Sequence, residues 1–547
     1  MHRLQVLMSA APQTAAASGR KKLARGKERS DAALGHEYQN TLGPGGAKEE
    51  ADLPTGWEEV PIERLFAPLE DGRTLHQGWS PQCDKVPSPS EDVWGMLKTT
   101  SIQAGEFQPE HNKLLPSGLE PRPLIEVKEG DILITCAGPR VRCGVSCLVR
   151  QTRKRLMMSG KMYRFRVEAD RTDARYVEAF LQTERARLAI DKMKTGSSDS
   201  GLNLTHDRFR QLRIPLAPLP EQRRIVAEIE KQFTRLEAGV AALRRVQTNL
   251  KRYRAAVLKA ACEGKLVPTE AALARVGRVP PRGVRPNAKN AASGDAAYND
   301  AYAETGAQLL ARILTERRQN WQGRGKYKEP AAPDTGKLPQ RPNGWTWASV
   351  EQLGRATTGF TPPKNDASLF GGDIPFFKPS DLDVGYNVRE FRDSLTEAGA
   401  EHGRVLPPLS ILVTCIGATI GKTGLARVRC TTNQQINALT VPTQLVLPQF
   451  VYWCFNSPFG QRQIIDNASA TTLPILNKSR FEALPIPLPP LAEQTRIVAE
   501  VERRLSVVEE LAAAVSANLQ RVTRLRQSIL QKAFTGKLAS GPLSKRF

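Results

Sequence analysis

"PLAPLPEQRRIVAEIE", Pro215 to Glu230, and "PLPPLAEQTRIVAEVE", Pro487 to Glu502, agree at twelve of sixteen positions, 272 residues apart. That interval is too long for a solenoid repeat and is the length of a domain with a helix attached, so the chain carries a duplication. Each copy begins with prolines, which a helix interior excludes, and then places Glu221 or Glu493 where the first helical turn favours negative charge. A long helix is expected from each start. With Val226 at heptad position a, the a positions run Val226, Phe233, Val240, Gln247 and Arg254, and the d positions Ile229, Leu236, Leu243, Leu250 and Val257. The second copy gives Val498, Leu505, Ala512, Leu519 and Arg526 at a, and Val501, Val508, Val515, Val522 and Ile529 at d. Both copies hold register, without insertion, to a "GKL" at Gly264 and Gly536.

A seam of 3.5-residue period about 60 Å long is more than a globule of about 150 residues covers. Pairing of the two helices is therefore favoured over each helix packing on its own domain. Their C-terminal halves are basic (Arg244, Arg245, Lys251, Arg252, Arg254, Lys259; Arg521, Arg524, Arg526, Lys532). Their N-terminal halves hold Glu228, Glu230, Glu237 and Glu500, Glu502, Glu509, Glu510. An antiparallel pair sets basic beside acidic, whereas a parallel one stacks like on like.

The flanking sequence repeats as well. "LPTGWEEV" (Leu53 to Val60) and "RPNGWTWASV" (Arg341 to Val350) each open an ordered stretch, with Trp57 and Trp345 following a glycine. Short β-rich runs follow, "ILITCAG" and "ILVTCIG" among them, and then one late helix per copy, in "ARYVEAFLQTERARLAI" and "QFVYWCFNSPFGQRQII". The expected class is mixed α/β: two similar globular domains separated by two long antiparallel coiled-coil helices, a pseudo-two-fold internal repeat. The expected division is a disordered tail over 1–52, a first domain over 53–215, a spacer helix over 216–268, a linker with a short helix over 269–338, a second domain over 339–487, a second spacer helix over 488–538 and a tail over 539–547.

Composition limits the function. A formal charge of +23 over 547 residues makes a polyanion the expected partner, nucleic acid ahead of an acidic membrane surface. No apolar run approaches the ~18 residues of a membrane span. Eight cysteines lie at scattered spacings and "MHRLQVLMSAAPQ" has too short an apolar core for a signal peptide, so a reducing cytoplasm is expected. Cys136, Cys143 and Cys147 do not form the paired knuckles of a zinc site, and Cys136 and its counterpart Cys415 are expected as buried small hydrophobes. "GATIGKTG" (Gly417 to Gly424) has three residues between glycines where a phosphate loop needs four. With no dinucleotide or methyl-donor fingerprint, no Asn-Pro-Pro-aromatic tetrad and no His-Glu metal motif, no catalytic site and no metal are expected in this chain.

The order of domain, "EQxRIVA" helix, "GKL", linker with "LLARILTERR" and "KYKEP", second domain and second helix resembles the specificity subunit of type I restriction–modification enzymes, from about Leu53 to Leu538. The resemblance implies two target recognition domains that each read half of a split DNA site, an antiparallel helical spacer, and two docked methyltransferase subunits that recruit the restriction subunits. Methyl donor and ATP are then expected on those partners, with no cofactor in this chain. A scaffold for protein assembly, with incidental charge, is the alternative. For DNA contact the loops offer Arg140, Arg142, Lys161, Lys194, Ser197 and Ser198 in the first domain, and Thr361, Lys364, Lys422, Gln434 and Gln435 in the second. Lysines would neutralise phosphate, while Gln and Arg would carry base preference. For partner docking, Glu221, Gln222 and Arg224 with Glu493, Gln494 and Arg496 are expected on exposed faces, since a coiled-coil seam needs only its a and d residues.

Overall fold

The computed structural model describes residues 53–276, 304–322, 325–469 and 473–538. The tails expected over 1–52 and 539–547 lie outside these residues. The chain divides into two compact units: one comprises the described residues up to Val240 with those from Gln520 onward, the other Ala241–Leu519. Two long helices, Leu219–Cys262 and Leu491–Ala533, are each shared between the units.

In the first unit, β1 (Glu58–Pro61) pairs antiparallel with β7 (Arg213–Leu216), bringing the beginning of the domain to its end. The main sheet is built on the continuous apolar run β4 (Ile132–Thr135), whose four residues are all buried. Its antiparallel neighbours are β5 (Ser146–Leu148) and β6 (Met162–Val167), and β2 (Phe66–Ala67) and β3 (His76–Gln77) continue beyond β6. One core contains Ile132, Ile134, Phe165, Tyr176 and Phe209, and a second, under a three-stranded sheet, contains Met96, Leu97, Leu156 and Met157.

The second unit uses the same elements. β8 (Thr346–Ser349) pairs with β13 (Pro485–Leu488), and the order β9 (Arg355–Thr358), β12 (Ile436–Thr440), β10 (Ile411–Thr414), β11 (Thr423–Leu425) forms an antiparallel sheet. β10, like β4, is a fully buried Ile-Leu-aliphatic-Thr run. The helix expected inside the linker is Gly306–Gln319, but it is no part of a free linker. Leu309 and Ile313 are buried in this unit's core, and Gly306 lies so close to the Leu488 carbonyl that a Cβ would meet it at 2.1 Å.

Each late helix, expected as one, is two: Ala174–Leu181 with Glu184–Met193, and Pro448–Asn456 with Pro458–Asp466. The break has a local cause. The side chains of Thr183 and Ser457 accept hydrogen bonds from Ala186 N and Gly460 N and so start a second helix, and Pro458 lacks the N–H that would continue the first.

The long helices bury their expected seam near the helix ends, at Val226, Ile229, Val257, Val498 and Val501, while Leu236, Val240, Leu243 and Leu250 are half-buried. In the second unit Val257 and Leu258 share a core with Val498, Val501 and Leu505, and Arg254 pairs with Glu509 at 3.4 Å. In the first, Val226 and Ile229 share a core with Leu530 and Phe534, and the Arg526 guanidinium lies 4.3 Å from the Phe233 ring centroid. Within each unit a higher number on one helix meets a lower one on the other, so the strands of the pair run antiparallel. The alternative of packing on a globule is also realised at the helix ends: Val226 and Ile229 belong to the same core as Ile214 and Tyr176, and Val498 and Val501 to that of Phe450 and Leu484.

Candidate nucleic-acid interface

In both units the loops that carry the expected DNA contacts leave one end of the main sheet. In the first, Cys136 N, just past β4, donates to Lys161 O at 2.8 Å, and Leu204 N donates to Cys136 O at 2.8 Å. In the second, Cys415 N donates to Gln435 O at 2.7 Å and Leu476 N to Cys415 O at 2.8 Å. The same three-chain lattice therefore holds three loops side by side in each unit. Its central cysteines behave as the small buried residues expected, since burial pushes the thiols of both Cys136 and Cys415 up to about 12.

On this frame the first unit brings together Arg140, Lys161, Ser197 and Ser198. The loop before Leu202 is tied back by the Leu202–Asn203 pairing to Ala137–Gly138, and Arg140 N donates to Asp199 O at 2.9 Å. The Arg140 guanidinium also meets the Asp199 carboxylate at 2.9 Å, an exposed pair that a phosphate can displace. Two expected contacts are removed from the surface. Arg142 is half-buried and donates to the carbonyl oxygens of Thr99 and Ile102, and burial pulls its pKa down. The Lys194 side chain is only 4 % exposed and its ammonium is held by Asp191 and by the Arg140 carbonyl. Both brace the loop that carries Arg140, a role that a basic residue in a Gly-Ser-rich stretch does not advertise.

The second unit gathers Thr361, Gln434 and Gln435, with Lys364 exposed on the same loop as Thr361. Gly359 N and Phe360 N donate to the carbonyls of Ile436 and Thr432, and no Cβ fits at Gly359, where it would meet the Asn433 carbonyl at 2.2 Å. Lys422 is tied to Asp383 at 2.6 Å. Sequence reasoning missed Phe360 and Val141, large apolar side chains left 46 % and 63 % exposed on these loops, and Asn433, whose buried amide orients Gln435. An apolar residue between a glycine and a proline- or arginine-rich turn was the available signal.

The expected docking residues need correction. Gln222, Glu493 and Gln494 are buried, not exposed. The Gln222 amide accepts from Asp173 N at 2.9 Å and donates to Ala217 O at 2.8 Å and Arg171 O at 3.1 Å. Gln494 accepts from Leu447 N at 2.9 Å and donates to Pro489 O at 3.1 Å. Asp173 and Leu447 are the N-cap residues of the late helices, so each glutamine locks the start of a long helix to the start of a late one. The glutamate before it receives the indole N–H of the domain's first tryptophan, Trp57 to Glu221 at 3.2 Å and Trp345 to Glu493 at 2.9 Å. The repeated "EQ" is thus a structural clasp. Of the six residues, Arg224 is the most exposed, while Arg496 pairs with Glu270 at 2.5 Å.

Comparison with known proteins agrees with this frame. The Type I restriction modification DNA specificity domain family matches residues 342–511. The EcoEI specificity subunit of Escherichia coli is 40 % identical over 182 residues, 33 % of this chain and 30 % of that protein, so the matched stretch spans less than a third of its relative. The EcoKI specificity subunit of Escherichia coli strain K12 is 22 % identical over 512 residues, 89 % of this chain and 90 % of that protein. A chain solved in work on complex assembly and conformational transition of the type I R-M system is 18 % identical, covers 89 % of this chain and 99 % of its own, and superposes with a TM-score of 0.59, which is a likeness of fold. Residues 342–511 thus match a Type I restriction modification DNA specificity domain, and over most of its length the chain is similar to a type I restriction enzyme specificity subunit.

Proposed function

We propose that this chain recognises a bipartite, asymmetric DNA target and directs methyltransferase and restriction subunits to it, without catalysing a step itself. The observation that carries the reading is the matched pair of loop clusters: one hydrogen-bonded lattice, at Cys136 and at Cys415, displaying Arg140, Lys161, Ser197 and Ser198 in one unit and Thr361, Lys364, Gln434 and Gln435 in the other. Like scaffolds with unlike side chains suit two unlike half-sites. In this reading the two units are target recognition domains of an internal pseudo-two-fold repeat, and the antiparallel helices set the gap between half-sites. Methyl donor and ATP belong to the partners, and the site of action is the cytoplasm, in keeping with the absence, among the described residues, of a helix long and apolar enough to cross a membrane.

One methyltransferase subunit would dock per helix. Arg224 is an available anchor, and in the second unit Val246 with Tyr253, and Val507 with Leu511, are exposed at spacings that put each pair on one helix face. The same apolar pairs favour a second reading, a protein-assembly scaffold. Salt separates the two. A DNA reader with several phosphate contacts loses binding steeply between ~50 and ~200 mM salt, whereas apolar docking is insensitive to it. Duplex binding that does not weaken over that range, or an unchanged methylome in a strain lacking the chain, contradicts the DNA reading.

A further inference from the structure

The glutamines of the second unit are more constrained than their side-chain type suggests. The Gln435 backbone N–H donates to Asn433 Oδ1 at 3.2 Å. A backbone N–H can only donate, so Asn433 must turn its Oδ1 that way and its Nδ2 toward the Gln435 side chain, where Oε1 accepts it at 2.9 Å. The neighbouring Gln434 has its Oε1 taken by the Thr361 hydroxyl at 2.6 Å. Thr361 is itself positioned by the backbone bonds of Gly359 and Phe360 and by the two prolines that follow it. Both carbonyl oxygens are therefore turned toward partners inside the protein, each with one of its two lone pairs engaged. Among the described residues neither amide nitrogen meets an acceptor, and Gln434 is exposed.

We infer that this cluster offers chiefly its amide donors, and that the half-site read by the second unit contains a guanine contacted on its major-groove edge; the inference rests on the DNA-recognition reading above. An adenine read bidentately by glutamine needs Oε1 to accept from N6 while Nε2 donates to N7. Here each Oε1 is already held by a donor of the protein, which competes with N6 for it. Cytosine offers a donor at N4, which a donor array repels, and thymine offers a single acceptor at O4. Guanine alone presents two adjacent acceptors, N7 and O6, to match two amide nitrogens, with the Lys364 ammonium on the same loop as a further donor. Thr361 is thus a specificity-determining residue that acts through Gln434.

The test maps methylated sites in a strain that makes the full chain with its methyltransferase subunits, as wild type or as Thr361→Val, which keeps the shape and removes the hydroxyl. The expected wild-type motif has a guanine in one half, and Thr361→Val, by releasing Gln434 Oε1, admits adenine at that single position and leaves the other half unchanged. In parallel, the purified wild-type chain is titrated with the motif duplex carrying 7-deazaguanine at that position, which deletes the N7 acceptor; affinity should fall roughly tenfold. A motif with no guanine in either half, a Thr361→Val motif identical to wild type, or 7-deazaguanine bound as well as guanine overturns the inference while leaving DNA recognition intact. A wild-type chain that directs no methylated motif overturns both. If Thr361→Val does not fold, the 7-deazaguanine titration decides alone.

Discussion

At the residue scale, buried amides carry more of the structure than their number suggests. Gln494 is fully buried with its carbonyl on Leu447 N and its amide on Pro489 O, so Gln494→Ala leaves a helix N-cap and a carbonyl without partners. The expected cost is ~1–3 kcal/mol, read as a lower midpoint in urea denaturation, with Gln222→Ala behaving alike. Glu70 gives a pH signature. Burial alone would raise its pKa, but a backbone hydrogen bond, Lys128 at 3.0 Å, and the guanidiniums of Arg164 and Arg166 outweigh it and hold the carboxyl at about 2, below its ordinary 4.5. A depressed carboxyl stabilises the fold fully above the unfolded value and loses that contribution as pH falls from 4.5 through about 2. Glu70→Gln should therefore flatten the acid limb of stability in that window while changing little of its slope near neutrality. An unaltered acid limb would show that the surrounding cations do not depend on this carboxylate.

At the scale of elements, the long helices are specified at both ends. Each start is clasped by tryptophan and glutamine, and each end is the glycine of "GKL", in the left-handed region at φ 65° for Gly264 and 71° for Gly536. The left-handed turn at these glycines ends each helix. The turn also presses on a neighbour: a Cβ at Gly264 would lie 2.4 Å from Pro342 Cγ, and one at Gly536 2.4 Å from Pro54 Cγ. Gly536→Ala then meets backbone strain of ~1–2 kcal/mol together with a clash against a proline ring, which cannot move aside as a flexible chain end would. Thermal melts should show a loss larger than the strain alone, and an Ala variant as stable as wild type would refute the contact. The prolines it abuts open the two ordered stretches, so "GKL" after the second helix closes the first unit and "GKL" after the first helix closes the second.

At the scale of the molecule, that exchange makes each unit incomplete in sequence. The first unit's core takes Leu530, Ala533 and Phe534 from the second long helix, and the Phe534 ring lies 4.9 Å from that of Tyr176. A chain ending near Pro268 keeps one domain and one entire helix but loses these residues, which share a core with Val226, Ile229 and Phe233. The apolar surface so uncovered presses for a replacement, at no more than ~1.5–3 kcal/mol per side chain, which a second copy of the same fragment supplies. Antiparallel pairing is met by a true two-fold axis as readily as by a pseudo-two-fold one. The fragment is expected as a dimer by light scattering, and, co-expressed with the methyltransferase subunit, to mark an inverted repeat of one half-site. A monomer, or methylation of the original asymmetric sequence, would refute the interchangeability of the helices.

The duplication, the long helices with their register and polarity, the mixed class and the buried Cys136 and Cys415 were legible in the residues alone, because heptad spacing, charge polarity and apolar runs are local patterns repeated often enough to outweigh chance. The helix breaks at Thr183 and Ser457 were local too, but a single hydroxyl cap is a weak signal inside an apolar run. Tertiary structure decided the rest. Whether Gln222 faces water or the Asp173 amide, whether Lys194 and Arg142 reach outward or fold back on loop carbonyls, and whether the linker helix at Leu309 floats or completes a core all depend on partners dozens to hundreds of residues away. A polar side chain reads the same in sequence whether its hydrogen bonds end in water or in the protein, and only the fold brings the competing donor or acceptor within 3 Å.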